Sequence, residues 1–108
     1  MTRAGESALH DWLVAPQEPG YELRDEALLK LFFADALTSE EALELVRAMR
    51  RRHAAVLEQL RAIEPRAQAG PKQFPYLVLQ GGLALHERAI EWCDELEHRL
   101  QANSPEGA

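Results

Sequence analysis

Two short runs, His86-Glu87 and Glu95-Leu96-Glu97-His98, put metal-ligating side chains at spacings that helical metalloenzymes use. A zincin helix needs histidines at i and i+4 around a glutamate, because that spacing brings both rings to one face and one ion. Four residues after His86 the chain has Ile90, so the second ligand is missing. Glu95 and His98 make one E-x-x-H pair, whereas a di-iron bundle takes two such pairs from facing helices. Both runs read as solvated helix face, and neither a metal nor any other cofactor is expected. Ser7, Ser39 and Ser104 lie in no G-x-S-x-G turn, and Gly81-Gly82 belongs to neither a P-loop nor a dinucleotide-binding turn. No catalytic residue is assigned, and an enzyme is not expected.

The other reactive side chains fall on apolar helical stripes. His53 and His86 occupy seam positions, where a ring is either a packed core histidine or a pH-responsive contact. Cys93 is the only cysteine. It excludes an internal disulfide, fits a reducing, cytoplasmic compartment, and reads as an inert core thiol. Trp12 and Trp92 offer the largest stacking surfaces for a planar ligand, although core packing accounts for both. Arg50, Arg51 and Arg52 look basic in sequence, but successive helical positions point about 100° apart and make no phosphate-facing patch. The formal charge is −6, from 12 Lys and Arg against 18 Asp and Glu. That sign opposes counterion release from phosphates, so direct nucleic acid contact by this chain is not expected.

The elements that carry these residues are helical. With 108 residues, 46% apolar and 28% charged, the composition suits one globular domain spanning residues 1–108. No run reaches the roughly 20 apolar residues of a membrane span, and the N-terminus lacks the apolar stretch of a signal peptide. Ala8, Leu9, Trp12 and Leu13 predict a short amphipathic helix over residues 6–15, stopped by Pro16 and Pro19-Gly20. A second helix is predicted from Arg24 to Ala36. Its Leu28, Leu29, Leu31, Phe32 and Phe33 spread beyond one stripe, which predicts burial on more than one side.

Thr38 and Glu41 have the spacing of a capping box that starts a third helix. Val46, Met49, His53, Val56, Leu60 and Ile63 carry its seam to about Glu64, where Pro65 is expected to break it. Gly70-Pro71 reads as a turn, and a fourth helix follows from Phe74-Pro75. Tyr76, Leu79, Leu83, His86, Ile90, Cys93 and Leu100 line one flank of it, and Leu77, Leu85, Ala89, Trp92 and Leu96 a second. The expected fold class is therefore all-α, with about four helices, the last two long and forming an antiparallel, coiled-coil-like hairpin that dimerises. A homodimer would cover the surplus apolar surface. Its interface is expected at Tyr76, Leu79, Leu83, His86, Ile90 and Cys93 with Val56 and Leu60 of the third helix. Gly81-Gly82 would permit a close helix crossing, and residues 103–108 read as a frayed tail.

Three blocks in order carry a resemblance: the opening "TRAGESALHDWL", then "LRDEALLKLFF" at residues 23–33, then "LVLQGGLALHERAIEWCDEL" at residues 77–96. Together they resemble the C-terminal domain of PadR-like transcriptional regulators, in the subfamily with a virulence-regulator-like C-terminal domain. The resemblance implies a dimerisation domain beside a DNA-reading winged helix. Residues 1–5 are then similar to the exit from the wing, so the chain is expected to begin about where the DNA-binding domain ends. Members repress transcription, some in response to small aromatic compounds. Trp92 is accordingly the first candidate ligand contact, with Phe32 and Phe33 as walls. The alternative is a free-standing helical interaction protein that pairs with a full-length regulator or another helical partner.

Overall fold

Thr38 Oγ1 accepts a hydrogen bond from the Glu41 amide at 3.1 Å, and the Glu41 carboxylate accepts one from the Thr38 amide at 2.9 Å. This reciprocal cap satisfies two donors that a helix start leaves orphaned, and each such cap contributes on the order of 1 kcal/mol. It opens the longest element. The computed structural model describes residues 2–103; the rest of the expected tail lies outside the described residues. In chain order the elements are α1 (Arg3–Val14), α2 (Glu26–Phe32), a 3-10 turn (Ala34–Ala36), α3 (Ser39–Ala69) and α4 (Gln73–Ala102).

Helix α3 runs through Pro65 instead of stopping before it. Proline removes the bond to the carbonyl four residues back, here Arg61, and both residues are exposed. Water can take that carbonyl, so the last turn survives. The true break is Gly70-Pro71. Gly70 sits in an extended conformation (φ −69°, ψ 159°), as the residue before a proline prefers. Helix α2 is shorter than predicted: Asp25 caps its start by accepting from the Leu28 amide at 3.0 Å, and after Phe32 the chain passes into the 3-10 turn.

Helices α3 and α4 lie antiparallel and carry nearly all the tertiary packing. Two apolar clusters occupy their seam. Val46, Met49 and Cys93 form the first, flanked by Ala27 and Leu31 of α2 and by Trp92, Leu96 and Leu100. Leu57, Leu79 and Leu83 form the second, flanked by Leu60, Ala67, Tyr76 and Ile90. Gly82 faces α3 here: a Cβ on it would meet Leu60 Cδ1 at 3.3 Å, so the missing side chain lets the helices close up. Gly81 faces open space. Three ion pairs cross the seam and set its register: Arg47 with Glu97 at 3.1 Å, Arg50 with Asp94 at 2.7 Å, and Arg61 with Glu87 at 3.3 Å.

The molecule is long and thin, 66 × 32 × 17 Å. Among the described residues seven apolar side chains are buried (Ala42, Val46, Met49, Leu57, Leu79, Leu83, Cys93), whereas fifteen large ones are exposed. That ratio leaves the single chain short of core, since small domains depend on burying most of their apolar surface. Helix α1 buries none of its residues.

Candidate functional site

Helix α4 divides its apolar residues between two faces. The inner face, built by Leu79, Leu83 and Cys93, is buried against α3 of the same chain. Tyr76, His86 and Ile90 are half-buried beside it, as are Val56 and Leu60 opposite. Seven of the eight residues expected between two copies, all but Val56, are thus engaged in the seam within one chain. The outer face repeats at three-four spacing through Phe74, Val78, Gly81 and Leu85, with Leu77 beside them. Val78 is 75% exposed and Leu85 is 61% exposed. The sequence reading found part of this flank in Leu77 and Leu85, and the 74-78-81-85 repeat was the signal that would have completed it.

The candidate ligand contacts separate. Trp92 is half-buried against Val46, Met49 and Cys93, so it is part of the core. Phe32 and Phe33 stack edge to face with centroids 5.1 Å apart, and both rings are exposed. Phe33 also lines an open apolar hollow of ≈ 570 Å³ with Leu29, Lys30, Leu37 and Leu45. Lys30 adds an ammonium at the rim, 3.5 Å from Glu26. The expectation that α2 is buried on several sides is corrected by this arrangement. Ala27 and Leu31 reach the core, but no α2 residue is buried and its aromatic side faces out.

The remaining singled-out residues are engaged in packing or ion pairs. Cys93 is 0% exposed, and burial, with Asp94 beside it, pushes its thiol above the ordinary cysteine value, which keeps it protonated and unreactive. Each arginine of the basic run meets a different carboxylate: Arg50 meets Asp94, Arg51 meets Glu44, and Arg52 meets Asp25. Glu95 accepts a hydrogen bond from Arg88 at 3.1 Å. Glu97, which interrupts the apolar series of α4, holds Arg47 across the seam.

Residues 23–101 match the family described as "Virulence activator alpha C-term". The chain belongs to the PadR-like transcriptional regulators. It is 28% identical over 104 residues to the negative transcriptional regulator PadR of Bacillus subtilis (strain 168), an alignment covering 89% of this chain and 57% of the relative. It is 30% identical over 118 residues to the probable transcriptional regulator Rv1176c of Mycobacterium tuberculosis, covering 91% of this chain and 60% of the relative. The chain thus spans under two thirds of the curated relatives it matches. Bacillus subtilis PadR has been solved in complex with operator DNA, with a TM-score of 0.79 at 26% identity over 93% of this chain and 59% of that one. The same protein with p-coumaric acid gives the same TM-score and identity over 93% of this chain and 65% of that one.

These matches bear on two expectations. The PadR fold has an N-terminal winged helix, so an all-α class completed by a dimerising hairpin does not describe it. In this chain α3 and α4 instead pack closely on each other, which consumes the seam inside one copy. The expectation of no direct nucleic acid contact finds no support in them, since a relative is solved on operator DNA. The relatives are described as transcriptional regulators. Among the described residues no helix is long and apolar enough to cross a membrane.

Proposed function

We propose that this chain is the dimerisation and effector-sensing part of a PadR-like regulator acting in the cytoplasm. The observation that carries the reading is the outer face of α4, where Phe74, Leu77, Val78 and Leu85 are all exposed on a rigid helix. Contiguous apolar surface of this kind is rarely left in water by a soluble protein. A second copy is the economical cover, because a two-fold pairing matches the face with itself. Gly81, with open space around its Cα, would let the two α4 helices approach closely. The seam residues from Tyr76 to Cys93 then support the interface from behind.

Effector sensing is assigned to the hollow between α2 and α3. Its floor is apolar, its wall is Phe33 and its rim carries the Lys30 ammonium. That set of groups suits a small aromatic carboxylate, with ring stacking on one side and charge on the other. p-Coumaric acid, bound by Bacillus subtilis PadR, is the natural probe. Calorimetric titration is expected to give saturable binding that weakens about 5- to 30-fold in Phe33→Ala and Lys30→Gln, since each removes about 1–2 kcal/mol of contact. Equal affinity in both variants, or no heat with the unaltered protein, overturns the assignment.

A further inference from the structure

Midway along the hairpin, between its two apolar clusters, the Nδ1 atoms of His53 and His86 lie 2.9 Å apart. The ring planes are inclined at 47° with centroids 5.1 Å apart, so the contact is nitrogen to nitrogen and not a stack. Such a bond fixes the proton count. One ring must carry hydrogen on Nδ1, and the other must offer a bare lone pair there. Two neutral rings in opposite tautomers meet that condition, as does one imidazolium with one neutral ring. Two imidazolium rings fail it, because two N–H donors and two positive charges then face each other at contact distance.

We propose that the His53–His86 pair is a proton-operated latch, holding α3 to α4 at mid-length and releasing when both rings are charged. The charged groups around it leave little to hold a second proton. Asp25, at the head of α2, faces His53 but lies 3.8 Å from Arg52 and also caps α2 through the Leu28 amide. On α3 Arg52 itself opposes a charge on His53. On α4, Glu87 follows His86 and is engaged by Arg61, and Asp94 is engaged by Arg50. Both rings are half-buried, so water screens them only in part.

The latch also couples to α2. A charged His53 competes with Arg52 for Asp25, the residue that caps α2 and helps seat it on the hairpin. Burial first, then His86 and Arg52, hold His53 below the ordinary histidine value, against the pull of Asp25. A lowered folded value means the contribution to stability is complete above the ordinary histidine value and is lost as pH falls through the lowered one. The latch is therefore closed at neutral pH and opens on acidification. Both rings belong to one chain, so the device does not depend on how copies assemble.

Ring-nitrogen NMR on the intact protein tests it directly. At neutral pH one of the two rings is expected as the Nδ1–H tautomer and the other as the commoner Nε2–H form. Thermal unfolding gives a second readout. Between about pH 7.5 and about pH 5, the unaltered protein is expected to lose about 4–8 °C more in Tm than a His53→Leu/His86→Leu variant. His10 and His98 remain in both proteins and cancel. Two Nε2–H rings overturn the proposal, and so does a variant with the full acid loss. If the variant does not fold, the tautomer assignment on the unaltered protein decides alone.

Discussion

Leu83→Asp is expected to unfold the protein. Leu83 is 8% exposed in the apolar cluster with Leu57 and Leu79, flanked by Leu60, Ala67, Tyr76 and Ile90, none of which carries a positive charge. Leaving a charge unpaired in such a place costs roughly 3–5 kcal/mol, in addition to the lost apolar contact. A domain of this size has about 5–15 kcal/mol in total, and among the described residues seven buried apolar side chains supply it. Far-UV circular dichroism at 25 °C is expected to show loss of most of the helical signal that the unaltered chain gives. Retention of full helicity would mean that the seam is far looser than its packing indicates.

A pair of substitutions on the opposite face has a different expected outcome. Val78→Glu with Leu85→Glu places two charges on residues that are already exposed in one chain, so the helices are expected to remain and the midpoint of monomer unfolding to shift little. In a dimer the same carboxylates would meet their own copies across the two-fold axis. Losing two apolar contacts of about 1.5–3 kcal/mol each weakens association by at least about a hundredfold. Sedimentation is therefore expected to show monomer with unchanged helicity. A mass equal to that of the unaltered protein would place the interface elsewhere.

Much of this was legible in the residues because it rested on local chemistry. The Thr38-Glu41 capping box and the Gly70-Pro71 turn depend on groups three residues apart or fewer, and both appear where the spacing puts them. The end of α3 was harder to read. Whether a proline breaks a helix depends on whether the freed carbonyl reaches water, which is a property of the folded exterior and not of the sequence around Pro65. The outer aromatic side of α2 was misread for a related reason: five apolar residues in one short helix argue for burial, but not for burial by this chain alone.

The faces of α4 show the same limit. Periodicity reveals two apolar flanks on that helix, and nothing local tells which one turns toward α3. The ion pairs from Arg47, Arg50 and Arg61 to α4, and the approach of Gly82 to Leu60, decide it. Those contacts join residues far apart in the chain. The same is true of His53 and His86, which were seen separately as seam histidines and meet only when the hairpin closes.

Light scattering on the peak eluting from a sizing column, at low micromolar concentration and neutral pH, tests the central claim most directly. Two copies of the 12.2 kDa chain are expected in one particle, and the Val78→Glu/Leu85→Glu variant is expected to elute at the mass of one. A stable, fully helical particle of a single chain, with the outer face of α4 left in water, would contradict the account.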